Sequence, residues 1–94
     1  MKNSKTINVK VKTLKEMLKI GYRDGDRIIF PDQPTIFALG MRKYAGKTVE
    51  VKYNLKIGRF QSFDEKWSFT KEMIDESDWT VMDEFEKEAL KNEN

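Results

Sequence analysis

The segment that decides the fold runs from Met41 to Ile74, opening with MRKYAGKTVEV (41–51) and closing with KWSFTKEMI (66–74). The opening residues predict a turn that leads into a strand over Thr48–Asn54, where apolar and polar side chains alternate with the period of a half-buried strand. The closing residues predict another strand, Lys66–Thr70, followed by a helical turn. The rest of the fold is expected to pack around this segment.

The residues before this segment predict further short elements. Thr6–Lys12 alternates in the same way and predicts a strand with a basic outer face. Thr13 and Glu16 form a capping-box pattern, which predicts that a short helix, Leu14–Ile20, follows the strand. Arg27–Phe30 predicts one more strand. Short strands with frequent turns are typical of a small barrel or sandwich.

Glycine and proline mark the expected turns. Gly21 suits a left-handed end for the short helix. Tyr22–Asp26 is predicted to form a turn, in which Gly25 supplies a positive φ, and Gly46 suits a turn position of the same kind. Pro31–Pro34 predicts a loop at a sheet edge, because proline cannot donate to a strand ladder. Thr35–Leu39 is apolar and fits either a strand or a turn of helix.

The carboxyl-terminal residues form an acidic tail, residues 75–94. Within it, Val81–Leu90 is rich in strong helix formers and predicts a short helix with Thr80 as the N-cap. Trp79 and Phe85 have two interpretations: they either fix the tail to the body of the domain or form an exposed anchor for a partner.

Charge is distributed unevenly along the chain. Residues 1–60 hold fourteen Lys or Arg against five Asp or Glu, whereas residues 61–94 hold four against eleven. Either the acidic end folds back on the basic body and neutralises it, which is the interpretation we favour, or each end meets a partner of its own. In the second case the acidic end would occupy a basic groove on another protein, as a nucleic-acid mimic does.

The composition argues against several kinds of chemistry. The chain has no cysteine and no histidine, so disulfides, thiolate nucleophiles and the commonest general base are missing. Asp24 and Asp26 are not followed by the ligands of a calcium loop, the glycines form no phosphate-binding motif, and the serines have no histidine to activate them. We therefore predict no enzyme, no cofactor and no metal site.

Nothing in the sequence suggests a membrane protein. No apolar run approaches the roughly 20 residues of a membrane span. The amino terminus has charge but no apolar stretch behind it, unlike a signal peptide. We expect a soluble protein of the cytoplasm.

Three patterns in the chain resemble those of a group of small uncharacterised proteins of bacteriophages and prophages: DGD (24–26), MxxYxGKxVxV (41–51) and WSFTxEMI (67–74). That group is similar to the mind-bomb domain, a Src-homology-3-like small β-barrel. The resemblance covers about residues 6–74. The chain departs from the group at Tyr22, where tryptophan is common, and in its helical tail.

The residues and the resemblance together predict one domain, residues 1–94, of mainly β (α+β) class. Over 6–74 we expect a small Src-homology-3-like antiparallel β-barrel with a short helix after the first strand. A C-terminal helical tail is expected within 75–94. Trp67 and Phe69, on one face of the last strand, are expected to plug the end of the barrel.

A dense basic set occupies the first two-thirds of the chain. It predicts either a surface that tracks phosphates, with aromatic residues as stacking platforms, or a solvated face that protects sheet edges. Lysine outnumbers arginine in the set, which disfavours base-specific recognition. The set consists of Lys10, Lys12, Lys15, Lys19, Arg42, Lys43, Lys47, Lys52, Lys56 and Arg59.

We expect a non-enzymatic binding module, a phage or prophage accessory protein that binds and modulates a host protein for counter-defence or host takeover. The alternative is a small nucleic-acid-binding barrel that uses the basic set. Either would act in the cytoplasm of a bacterial host cell, with no membrane partner and an oligomeric state left open. The candidate partner-binding residues are Arg42, Lys43, Tyr44, Lys47, Trp79 and Phe85.

Overall fold

Two antiparallel sheets form the body of the protein. They are seen in a computed structural model that describes residues 6–31 and 35–93. The first sheet holds, in this order, β1 (Ile7–Lys10), β5 (Thr48–Asn54), β6 (Arg59–Ser62) and β7 (Ser68–Phe69). The second sheet holds β2 (Tyr22–Asp24), β3 (Arg27–Phe30) and β4 (Thr35–Phe37).

Helices connect and close the two sheets. The short helix α1 is Leu14–Met17 and the carboxyl-terminal helix α2 is Trp79–Glu93. Three 3₁₀ helices lie at Leu39–Tyr44, Lys71–Met73 and Glu76–Asp78. The prediction of a short helix after the first strand and a helical tail is therefore confirmed.

The capping box predicted for α1 is present. The Thr13 amide donates to Glu16 Oε1 at 2.9 Å, and the Glu16 amide donates to Thr13 Oγ1 at 3.1 Å. These hydrogen bonds hold the pKa of Glu16 below its usual value. Gly21 is not at positive φ, so the predicted left-handed helix end is wrong. Glycine is required there by space, because a Cβ would lie 2.5 Å from the Ile29 carbonyl oxygen.

One hydrophobic core is shared by both sheets and α2. Phe69 and Met73 are buried in it, and Trp67 packs against it at the Gly40 backbone. Each large apolar side chain buried in this way contributes roughly 1.5–3 kcal/mol. The buried apolar residues are Val9, Val11, Met17, Ile28, Phe30, Phe37, Met41, Val51, Phe60, Phe69, Met73, Ile74 and Met82.

After β7 the chain returns to the first strand. Val11 forms an isolated antiparallel bridge with Ile74. Around it the Lys12 amide donates to the Met73 carbonyl, and the Asp75 amide donates to the Lys10 carbonyl, each at 2.8 Å. These bonds cover the outer edge of β1, which would otherwise be open to another chain. No closed barrel forms in the described residues, so the Src-homology-3-like barrel stays a prediction.

The second sheet contains a strand that the sequence did not indicate. Tyr22–Asp24, expected as part of a turn, is β2, and only Gly25 and Asp26 form the turn to β3. Gly25 has φ +64°, as predicted. The undecided segment Thr35–Leu39 begins as strand β4 and continues into a 3₁₀ helix. Residues 32–34 of the predicted loop lie outside the described residues.

The carboxyl-terminal helix begins earlier than predicted. It starts at Trp79, so Thr80 lies inside its first turn and is not the N-cap. The chain enters α2 directly from the preceding 3₁₀ helix, which is capped by Asp75: the Ser77 amide donates to Asp75 Oδ2 at 3.2 Å. The Ser77 hydrogen bonds lower the pKa of Asp75. Within the described ranges, no helix is long and apolar enough to cross a membrane.

Candidate functional site

Residues 42–47, which we call the basic turn, hold four of the six candidate residues. The basic turn comprises the last three residues of the 3₁₀ helix Leu39–Tyr44 and the residues that lead from it into β5. It is bound to the chain just after β1. The Gly46 amide donates to the carbonyls of Val11 and Lys12 at 3.1 Å each, and the Val11 amide donates to the Lys47 carbonyl at 2.8 Å. Gly46 has the predicted positive φ, +75°. These bonds fix the backbone that carries the cations.

Tyr44 anchors the basic turn to the core. Its ring is partly buried and meets Phe69 edge-to-face, with the centroids 5.5 Å apart. The Lys43 ammonium lies 5.2 Å from the centroid of the Tyr44 ring, a distance at which a cation and a ring attract each other. Tyr44 therefore serves mainly as a support for Lys43 and the turn.

The cations of the basic turn form no salt bridge in the described part of the chain, although hydrogen bonds lower the pKa of the Asp64 carboxyl and Lys43 lies near enough to help lower it. Lys43 and Lys47 are exposed and Arg42 is half-buried. Outside the turn, salt bridges join Arg27 to Asp24 and Lys71 to Asp83, each at 3.1 Å, and Lys52 to Glu65, while most other described cations form none. The charges of the basic turn thus remain available to a ligand.

Two further lysines flank the basic turn. Lys10 pairs with Thr48 in the β1–β5 register, and Thr48 directly follows Lys47 in the sequence. The Thr13 methyl group lies 3.4 Å from the position that a Cβ on Gly46 would occupy. Because Thr13 caps α1, the start of this helix, with its exposed Lys15, lies beside the basic turn.

The rest of the basic set does not join this surface. Lys56 and Arg59 lie beyond the far end of β5, and that strand is about 20 Å long. Lys12 is nearly buried, and its ammonium lies 5.3 Å from the Trp79 ring centroid. The basic set predicted from the sequence therefore does not form one continuous surface in the structure.

Trp79 and Phe85 lie on the side of α2 that faces the core. Trp79 is partly buried; its Nε1 donates to the Ile74 carbonyl at 2.8 Å, and the Lys71 ammonium lies 5.2 Å from its ring centroid. Phe85 packs against Phe60 with the ring centroids 6.2 Å apart. Both residues fasten α2 to the body, and a partner-binding role for them stays a prediction.

The structure brings the basic turn and Trp79 together only through Lys12. The Lys12 carbonyl accepts from Gly46, while its ammonium approaches the Trp79 ring. No hydrogen bond, ion pair or ring contact within the described ranges joins Arg42, Lys43 or Lys47 to Trp79 or Phe85. The six candidate residues thus form two groups.

The acidic end of the chain folds back on the body, as the favoured interpretation predicts, although within the described residues it forms no salt bridge with the basic turn. The Lys10 amide donates to Asp78 Oδ2 at 2.8 Å, and the Tyr53 hydroxyl donates to Glu86 Oε2 at 3.2 Å. Burial, with the neighbouring Glu86 carboxylate, raises the pKa of Tyr53. These contacts tie α2 to β1 and β5.

Sequence reasoning missed an apolar surface on the second sheet. Tyr22 pairs with Ile29 and Ile29 with Ile36, so these three side chains, which we call the apolar row, stand side by side across β2, β3 and β4. Tyr22 is 52 % exposed and Ile36 43 %. The opposite face carries the buried Ile28 and Phe37. A two-residue turn at Gly25 would have predicted this register.

Family models, curated proteins and solved structures yield no match to the chain. Among the described residues, no group of three or more acidic side chains is placed to hold a metal ion.

Proposed function

We propose that this protein is a non-enzymatic binding module that uses its basic turn to hold an acidic surface of a host protein. Arg42, Lys43 and Lys47 would make the charged contacts, and Tyr44 would keep Lys43 in place. The observation that carries the proposal is that three cations stand close together on a turn held by backbone hydrogen bonds and form no salt bridge in the described chain.

A fixed turn suits binding for a physical reason. Ordering a flexible loop costs free energy when a complex forms, so a turn already held by backbone hydrogen bonds binds with less loss. Exposed cations also attract an acidic surface before contact and raise the rate of association. Tyr44 and Gly46 supply the rigidity, and the lysines supply the charge.

The resemblance to phage and prophage proteins supports a host protein as the partner. A phage accessory protein acts in the cytoplasm of the bacterial host cell, where it binds and modulates a host protein during counter-defence or host takeover. The return of the chain from β7 to β1 at Val11 and Ile74 is compatible with a Src-homology-3-like barrel, which we include in the proposal. Small barrels are reused for many binding functions.

Affinity capture from bacterial lysate tests the proposal. The immobilised chain is compared with the triple variant Arg42→Ala/Lys43→Ala/Lys47→Ala. A matched control, Lys56→Ala/Arg59→Ala/Lys87→Ala, removes the same charge from exposed positions elsewhere. We expect a stoichiometric host protein with the wild type and the control, and loss of that protein with the basic-turn variant. Equal loss in both variants would show that net charge, and not the basic turn, holds the partner.

A nucleic acid is the second candidate, because Lys10 and Lys15 extend the basic turn into a longer cationic surface. In that case log affinity falls linearly with log salt, by about 0.9 per phosphate contacted on duplex and about 0.7 on single strands. Replacing Arg42 and Lys43 would weaken all sequences alike. Absence of any shift of DNA or RNA at low salt would eliminate this candidate.

A further inference from the structure

The apolar row is flanked by two exposed charges of opposite sign. Lys19 precedes Tyr22 by three residues, where the chain enters β2, and Asp26 precedes Ile29 by three residues, in the turn at the other end of the sheet. Each therefore lies within about 10 Å of the row, on opposite sides of it. Neither side chain has an ion-pair or hydrogen-bond partner in the described part of the chain.

We propose that this face binds a second copy of the chain as a two-fold dimer. The symmetry axis would lie in the interface and cross the strands at the apolar row. Rotation about this axis places the apolar row of one copy against the apolar row of the other. It also places the Lys19 end of one sheet over the Asp26 end of the other. Lys19 of each copy then faces Asp26 of the other, so one axis produces two opposite-charge contacts.

The charges of this face match a second copy better than another kind of partner. At the turn end, a shallow depression is lined by Asp24, Gly25, Asp26, Arg27, Ala38 and Leu39. Arg27 neutralises Asp24 at 3.1 Å, and Arg23 pairs with Ile28 and therefore alternates to the other face. On the face of the apolar row, Asp26 then leaves one net negative charge to receive a lysine. A strongly acidic or strongly basic partner would be repelled at one end, whereas an exchanged copy is attracted at both.

The size of the face predicts a weak dimer. Three strands about 4.8 Å apart and a few residues long cover much less than the roughly 800 Å² per partner of a standard stable interface. The dimer should therefore form only as the protein concentration rises, and salt should weaken it. The proposal does not depend on the basic turn, which is in another part of the chain.

Sedimentation equilibrium of the full chain over a range of concentrations tests the apolar part of the interface. We expect the mean mass of the wild type to rise toward twice the monomer mass. Ile36→Asp places a charge in the row and should weaken dimerisation about tenfold or more. Ile57→Asp, at a position that is 51 % exposed in the β5–β6 turn, is the matched control and should dimerise like the wild type.

A charge exchange tests the symmetry. Lys19→Glu alone and Asp26→Lys alone should each weaken the dimer, because like charges then meet at both ends. An equal mixture of the two variants should restore it, since each mixed dimer has two opposite-charge contacts. Lys87→Glu on α2 should leave dimerisation unchanged.

Three results would overturn the proposal. One is a wild type that stays monomeric up to about 1 mM. Another is a mixture of charge variants that associates no better than either alone, and the third is equal dimerisation of Ile36→Asp and Ile57→Asp. A monomeric wild type whose Ile36→Asp variant loses a captured protein would assign the face to that protein instead.

Discussion

The first sheet and the second sheet differ in how much of their surface the chain itself covers. At the first sheet, the edge of β1 is covered by residues 73–78, and α2 packs Met82 into the core. At the second sheet, Ile28 and Phe37 on the inner face are buried, while on the outer face Tyr22 and Ile36 of the apolar row are exposed and Ile29 between them is partly buried. Trp79 and Phe85, which stand out in the sequence as candidate partner-binding residues, thus pack within the fold, while the apolar row forms the open surface.

The largest expected effect contrasts α2 with the apolar row. Met82 is 1 % exposed, so Met82→Ala should lower the free energy of unfolding by about 2–5 kcal/mol. Ile36→Ala, on the open face, should change it by only about 0.5 kcal/mol. Urea titration at low protein concentration measures both. Similar losses in the two variants would remove the distinction between the regions.

A smaller difference in the free energy of unfolding is expected between substitutions of the two tryptophans. Trp79 Nε1 donates to the Ile74 carbonyl, whereas the Nε1 of Trp67 is buried without a partner. Substitution by phenylalanine removes a hydrogen bond only at Trp79, so Trp79→Phe should cost about 1 kcal/mol more than Trp67→Phe. Chemical unfolding of both variants gives this difference. A larger loss for Trp67→Phe would contradict the assigned role of Trp79.

The smallest effect concerns alkaline pH. The folded state raises the pKa of Tyr53, so it binds a proton that the unfolded chain releases near pH 10. The stabilisation is fully present below that pH and is lost as the pH rises through the raised pKa. Tyr53→Phe should therefore lose less stability than the wild type between about pH 9 and pH 11.

The wild type measured over the same pH range is the reference for this effect. If Tyr53→Phe loses as much stability as the wild type between about pH 9 and pH 11, the contact between β5 and α2 does not govern the alkaline loss.

Elements encoded by local patterns could be predicted from the sequence. The strand Thr48–Asn54 has the predicted bounds, because its alternation reflects one buried face. The capping box at Thr13 and the positive φ at Gly25 and Gly46 are likewise local properties. In each case the deciding residues lie within a few positions of one another.

Elements that depend on distant contacts could not be predicted. The short strand β2 exists because it pairs with β3, and α2 begins at Trp79 because a 3₁₀ helix leads into it. Whether Trp79 packs or is exposed depends on Ile74 and Lys12. The apolar row forms only when three strands pair in register, so the sequence did not predict it. Of these two surfaces, only the basic turn was predicted from the sequence.

Amide hydrogen exchange of the free, full-length chain tests most directly the claim that the acidic helix is part of the fold. If contacts from Trp79, Met82 and Phe85 hold α2 on the core, amides in the middle of the helix should exchange only through global unfolding. Their protection should then equal that of the β5 amides. Exchange of the α2 amides as fast as in an isolated helix, with β5 still protected, would contradict the account.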